Sequence, residues 1–310
     1  MFDSMNKIFK ITTVTEYNNL LGLETLHPLI SVIDFSKIKT PDYTEIESSF
    51  DKGQLDAYSI FLKDIKCGNI KYGLKNYDYE EGTLMFMSPG QVFGVDIEEE
   101  RANQATGKAI IFHPDLLLGS SLGKSIKNYT FFSYEANEAL HLSASEREVI
   151  NECIRNIKYE LKHSIDKHSK TLIISYLELF LNYCQRFYDR QFITRHHVNT
   201  DILSRFEKII NDYFSSEQAI DEGLPTVRYC ADKMFLSPNY LGDLLKKETG
   251  KSTQEHIQLK VIELAKEKIF STEKSISEIA YELGFKHPQH FARMFKKQVG
   301  MSPNEFRNVN

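Results

Sequence analysis

The chain has 310 residues, 41% hydrophobic and 26% charged, and its 38 Lys+Arg against 43 Asp+Glu give a net charge of −5. That length makes one large domain or two ordinary ones, and the composition is that of a soluble globular protein, which excludes collagenous, low-complexity and disordered classes. The acidic excess falls in residues 1–200, with 22 basic and 27 acidic side chains, while residues 201–310 carry 16 of each.

In chain order, the N-terminus MFDSMNKIFKITTVTEYNN holds no long apolar run, so no signal peptide is expected. Six short segments rich in aromatic and β-branched residues follow: Pro28–Phe35, Ala57–Asp64, Asn69–Leu74, Thr83–Met87, Gln91–Ile97 and Lys108–Phe112. Gly, Pro, Asn and Asp separate them, which predicts strands of an antiparallel barrel or sandwich. Ser59, Phe61 and Lys63 alternate with Tyr58, Ile60 and Leu62, as in a strand with one buried face. Tyr58, Phe61, Tyr72 and Phe86 either line a pocket or form core, and core is the better reading.

After Phe132 the period becomes helical. Ser145 and Glu148 have capping-box spacing, and Val149, Ile150, Cys153, Ile154, Ile157 and Leu161 follow at helical intervals. A second apolar stripe runs over about Lys170–Asp189, so the two form an antiparallel pair at about 145–190. Its most apolar part, Leu172 to Cys184, is too short and too polar to span a bilayer. The polar, non-periodic Gln191–Thr200 reads as an interdomain linker. Cys67, Cys153, Cys184 and Cys230 are scattered, the pattern of free thiols in a reducing cytoplasm.

From Asp201 the sequence predicts seven short helices. Pro225, Pro238, Pro288 and Pro303 suit first-turn positions. Gly250, Gly284 and Gly300 suit helix ends. Ser252–Glu255, Ser275–Glu278 and Ser302–Glu305 are capping boxes. This part also repeats itself. Pro238–Ser252 and Pro288–Ser302, 50 residues apart, share Pro, two Lys, Gly and Ser, and Leu241, Leu244 and Leu245 correspond to Phe291, Met294 and Phe295. Each copy follows a short helix containing an alanine, Ala231 or Ala280, the layout of a helix-turn-helix. Gly284 fits a left-handed turn position; the first copy has Met234-Phe235-Leu236 there and is one residue shorter, so a different turn is expected.

In the second copy Lys286, Gln289, His290, Arg293 and Lys297 form one exposed stripe opposite the apolar face. Lys286–Gly300 holds four basic residues and no acid. Gln and Arg can bond adenine and guanine edges bidentately, and lysines neutralise phosphates. The equivalent stripe of the first copy is Asn239, Gly242, Asp243 and Lys246, a poorer reader. Two helical hairpins without a DNA role are the plainer alternative.

Residues 201–310 resemble the AraC/XylS transcriptional regulators. The resemblance is carried by Ile276, Ile279-Ala280, Gly284-Phe285, Phe291, Arg293, Phe295-Lys296-Lys297, Gly300, Ser302-Pro303 and Phe306-Arg307, and in the first copy by Ala231, Leu241 and Lys246-Lys247-Glu248-Thr249-Gly250. It implies two helix-turn-helix units joined by a helix at about Thr253–Phe270. It further implies base readout by Asn239, Gly242 and Asp243 and by Gln289, His290 and Arg293. Lys246, Lys247, Lys251, Lys286, Lys296 and Lys297 are the phosphate candidates. Residues 1–190 are similar to the family's cupin-like domain, on architecture and on stretches such as Phe112-His113-Pro114 and Arg186–Phe192. The expected fold is thus α+β in two domains, an antiparallel barrel over about 28–112 with a helical pair, a linker at 191–200, and an all-α double helix-turn-helix over 201–310.

A metal cupin needs three histidines and a carboxylate, yet residues 28–112 contain no histidine, with His27 and His113 at the edges. No nucleophile elbow is present either. No enzymatic activity, metal or cofactor is therefore expected. The partners expected are double-stranded DNA, a small-molecule effector in the barrel, a second copy of the chain and, for an activator, RNA polymerase, all in the cytoplasm and away from membranes. A barrel serving only as a dimerisation scaffold is the alternative.

Overall fold

The computed structural model describes residues 8–38, 52–63, 82–94, 107–135, 138–163, 166–194, 196–271 and 273–309. The chain separates into two compact units, Met1–Ile193 and Thr194–Asn310. Among the described residues no helix is long and apolar enough to cross a membrane.

The first unit is built on β1 (Ile8–Ile11), β2 (Ile30–Asp34), β3 (Lys52–Leu55), β4 (Tyr58–Lys63), β5 (Thr83–Met87), β6 (Gln91–Gly94), β7 (Gly107–Phe112) and β8 (Leu140–His141). Between β1 and β2 stands α1 (Val14–Leu20), whose N-cap Thr13 forms a capping box with Glu16. The strands make two sheets, ordered β1-β3-β6 and β2-β7-β4-β5-β8. This departs from the expected closed, all-antiparallel barrel: the described strands do not close, and β1 runs parallel to β3. Ile11, Val14, Ile33, Leu55, Ala57, Ala109 and Ile111 pack as one core, drawing on both sheets and α1. β1, β3, α1 and the two-residue β8 gave no periodic signal, being too short for one. The expected strand Asn69–Leu74, with Tyr72, and Cys67 lie outside the described residues, as do residues 95–97 of the expected fifth segment.

β4 lies inside the five-stranded sheet, between β5 and β7. Ser59 is accordingly buried along with Ile60 and Leu62, so both faces are covered where alternation predicts only one. Tyr58 stacks on Phe112 with ring centroids 5.1 Å apart, and Phe86 sits 4.4 Å from Phe131 and 6.2 Å from Tyr188. Phe61 packs on the inter-sheet core. The edge histidines serve the backbone: Nδ1 of His27 accepts from Leu29 N–H at 3.1 Å, and Nδ1 of His113 from Asp115 N–H at 3.2 Å.

The helical pair comprises α3 (Ala144–Lys162) and α4 (Ser169–Thr194), while a short α2 (Ser121–Ser125) precedes β8. The capping box of α3 is Ser143 with Glu146, two residues before the predicted Ser145–Glu148. Both pairs have the right spacing, and the chain takes the one beside β8. α4 runs to Thr194, into the sequence read as linker. Gln191 is buried, its amide donating to Ala139 C=O at 3.2 Å and accepting from His141 N–H at 2.8 Å. Arg190 donates to both carboxylate oxygens of Glu146, at 3.0 and 2.7 Å, and to His141 C=O at 2.7 Å. Cys153 and Cys184 are free buried thiols; burial raises both, Cys184 well above the ordinary thiol range.

The second unit is all helical: α5 (His196–Ser215), α6 (Gln218–Glu222), α7 (Val227–Met234), α8 (Pro238–Thr249), α9 (Thr253–Ser271), α10 (Ile276–Glu282), α11 (Pro288–Val299) and α12 (Pro303–Val309). These are eight helices among the described residues where seven are predicted, and the first of them begins at His196, five residues before Asp201.

Candidate nucleic-acid interface

Two helix pairs with the same local construction carry the site. In the first, the hydroxyl of Thr226 caps α7 by accepting from Tyr229 N–H at 3.0 Å. Pro225 precedes that cap and so is not in the first turn as predicted. The buried hydroxyl of Ser237 caps α8 by accepting from Tyr240 N–H at 3.2 Å, and Pro238 follows at the first turn, where its missing N–H costs no bond. α8 ends on left-handed Gly250. In the second pair Ser275 and Glu278 form the predicted capping box of α10, Pro288 opens α11 and left-handed Gly300 closes it. Ser252–Glu255 and Ser302–Glu305 make the bonds their spacing predicts. Serine N–H and O–H bonds hold the Glu255 and Glu278 carboxyls below their ordinary value, and Glu305 is held down the same way.

The turns correct one expectation. Gly284 has φ +90°, and Phe285 N–H donates to Ala280 C=O at 2.9 Å. In the first pair Phe235 itself takes φ 59°, ψ 40°, and Leu236 N–H donates to Ala231 C=O at 3.0 Å. The two turns share one backbone device, the left-handed helix end. The missing residue falls after it, where Leu236-Ser237 stands against Phe285-Lys286-His287.

Side-chain directions follow from the caps. Ala231 and Ala280 are fully buried, as are Leu241, Leu244 and Leu245 on α8 and Phe291 and Phe295 on α11. Met294, predicted inward, packs half-buried against the core of this unit and also lines a cleft. Phe291 and Phe295 pack with Val261, Ala265 and Ile269 of α9 and with Ile279 and Leu283. α11 can therefore offer only its other face to a partner. Gln289, His290, Arg293, Lys296 and Lys297 on that face are exposed, as is Lys286 just before it. A cleft of about 380 Å³ is lined by His290, Arg293, Met294, Lys297, Gln298 and Gln258. Gln258, from α9, is a neighbour that no spacing in the sequence announces. On α8 Asn239, Lys246 and Lys247 are exposed, with Lys251 just beyond, but Gly242 and Asp243 are half-buried. A Cβ on Gly242 would lie 3.9 Å from Thr253 Oγ1. The surface of α8 is thus shallower and carries an acid where α11 carries an arginine.

Supporting contacts fix these helices. Nε2 of His256 lies 2.7 Å from Oγ1 of Thr249, tying the start of α9 to the end of α8, and burial, aided by Lys251, lowers the imidazole pKa. Lys268 and Lys274 both pair with Glu282 and keep its carboxyl below the ordinary value. Burial pushes the Cys230 thiol up to about 11, so it behaves as an inert core side chain.

Residues 230–308 match a family model described as a helix-turn-helix domain. The chain is 41% identical over 78 residues to the uncharacterized transcriptional regulatory protein YesN of Bacillus subtilis (strain 168), covering 24% of this chain and 21% of that protein. It is 32% identical over 148 residues to the uncharacterized HTH-type transcriptional regulator YfiF of the same organism, covering 48% and 44%. Among solved structures, the C-terminal domain of AraT, a response regulator from Geobacillus stearothermophilus, is 32% identical over 35% of this chain and 85% of that one, with a TM-score of 0.32. The matches therefore span less than half the length of these curated relatives. Residues 230–308 are thus a helix-turn-helix domain of the AraC type, the part of this chain that carries its similarity to transcriptional regulators.

Proposed function

We propose that this protein is a sequence-specific DNA-binding regulator of transcription in which α11 does most of the base reading. The observation that carries this reading is the division of α11, with Phe291 and Phe295 fully buried on one side and Gln289, His290, Arg293 and Lys297 exposed on the other. Gln289, His290 and Arg293 can bond base edges in a major groove. Asn239 and Asp243 supply weaker readout from α8, since Asp243 repels phosphate and accepts only from cytosine. Lys246, Lys247, Lys251, Lys286, Lys296 and Lys297 neutralise phosphates. Residues 201–310 then form the DNA-binding domain, and residues 1–190 bring two copies together and hold a small effector in their β-rich part.

The test is binding to randomised duplex libraries at one fixed salt concentration. Arg293→Ala is expected to cost about 1–3 kcal/mol and to relax the choice at one base pair. Asp243→Ala is expected to leave affinity unchanged or raise it. Lys297→Ala is expected to weaken all sequences alike and to lower the log–log salt slope by about 0.9. A greater loss from Asp243→Ala than from Arg293→Ala would move the readout to α8. For the effector, a metabolite that raises the melting temperature supports sensing; a β-rich unit that no metabolite stabilises is a dimerisation scaffold only.

A further inference from the structure

On the face of the five-stranded sheet beside α3, four lysines and one carboxylate lie within a connected group. The β2–β7 register sets Asp34 opposite Lys108. Their neighbours Ile33 and Ala109 belong to the inter-sheet core. Strand alternation therefore turns Asp34 and Lys108 to the other face, toward α3. Asn151, Lys158 and Lys162 follow at i, i+7 and i+11 on α3, along one stripe of the helix. Lys108 Nζ donates to Asn151 Oδ1. Lys37 Nζ lies 3.7 Å from Asp34 Oδ2, and the same carboxylate accepts from Ser36 O–H at 2.6 Å. Lys158 is half-buried within electrostatic reach of Asp34, Lys37, Lys108 and Lys162.

Among the described residues the charge at this place is unbalanced, with four ammonium groups to one carboxylate; Lys108 and Lys158 are half-buried, while Lys37 and Lys162 are exposed. Burial lowers the Lys158 pKa, and its three lysine neighbours push the same way against Asp34. Elsewhere in the same unit Arg190, a partly buried charge, is matched by Glu146. Gathering like charges at a partly desolvated point is unfavourable without a counter-charge. A lysine cluster of this kind suits a compact multivalent anion, because each ammonium acts as a freely rotating point charge with three donors.

We propose that Lys37, Lys108, Lys158 and Lys162, grouped with Asp34 between α3 and the β2–β7 pair, bind a small phosphate-bearing molecule. The site lies outside the inter-sheet core, and the proposal does not rest on the DNA-binding reading of residues 230–308. It is tested by calorimetric titration of the full chain with inorganic pyrophosphate at constant ionic strength. Saturable binding is expected, weakened at least tenfold in Lys158→Gln and measurably in Lys37→Gln, whose exposed side chain can be changed without affecting folding. The double variant Lys296→Gln/Lys297→Gln is expected to bind pyrophosphate like the parent, and Lys158→Gln to keep the parent's salt slope on DNA. Absence of saturable binding, or parental affinity in both Lys158→Gln and Lys37→Gln, overturns the proposal. So does loss of binding in the Lys296/Lys297 variant, which would place the anion on the DNA face. A lowered salt slope in Lys158→Gln would make the cluster a DNA-backbone contact and overturn it as well. A chain that fails to bind any duplex but still binds pyrophosphate refutes the DNA reading alone.

Discussion

At the scale of single residues, the two turns make opposite demands. Phe235 holds a left-handed conformation that costs an L-residue about 1–2 kcal/mol, and its side chain is 64% exposed. Phe235→Gly is therefore expected to stabilise the protein by about 1 kcal/mol, read as a rise in melting temperature. A lower melting temperature would mean that the Phe235 ring contributes more packing than its exposure implies. Gly284 is the reverse case. A Cβ there would meet Ala219 O and Gly223 C, each at 2.7 Å, in addition to the strain of φ +90°. Those contacts are backbone and cannot swing aside. Gly284→Ala is expected to cost more than the left-handed strain alone, and an unchanged melting temperature would contradict the close approach of α6.

At the scale of elements, α4 is pinned to β8 and α3 through Arg190 and Gln191. Burial by itself would raise the Glu146 carboxyl, but Ser143 N–H and the Arg190 guanidinium hold it below its ordinary value of 4.5. A depressed carboxylate contributes stability that is present above its unfolded pKa and lost as pH falls through the folded one. The contribution is therefore intact above about pH 4.5 and fades below it. Arg190→Ala is expected to cost about 1–2 kcal/mol near neutrality, since these are charge-assisted bonds made by a partly exposed guanidinium. It is also expected to flatten the acid limb of the melting-temperature profile. In the second unit, the capping glutamates Glu255, Glu278 and Glu305 shift the same way, and Glu278→Gln is expected to soften acid unfolding there. An acid limb that is the same in parent and variants would show that these carboxylates are not what the proton attacks.

At the scale of the whole molecule, the two units invite separate study. Along α4, Leu172 and Leu179 are 43% and 45% exposed and lie seven residues apart, on one side of the helix. Apolar side chains so placed fit a two-fold partner. The fragment 1–195 is expected to scatter light as a dimer, and 201–310 as a monomer. Leu172→Lys/Leu179→Lys is expected to shift the full chain toward monomer without lowering intrinsic affinity for a single site. A monomeric 1–195 at tens of micromolar would rule out α4 as the dimer contact.

The sequence alone determined most of the C-terminal unit. Its helices are closed by local chemistry: Ser–Glu boxes, first-turn prolines and terminal glycines act within a few residues, and the 50-residue repeat exposes them twice. Ser275–Glu278, Gly250 and the inward Phe291 and Phe295 were legible for that reason. The N-terminal unit was read less well because its decisive contacts join distant segments. That β1 runs parallel to β3, that β4 is covered on both faces and that the described strands form two sheets all depend on which strands become neighbours, which no local pattern encodes. Gln191 looked like linker because its hydrogen bonds reach β8, some 50 residues earlier. Phe235 looked unsuited to a left-handed turn because propensity forbids what the packing of Ala231 and Ser237 imposes. The Lys108–Asp34–Lys158 grouping was invisible for the same reason: strand register and helix placement, set by tertiary packing, bring together charges that are scattered along the chain.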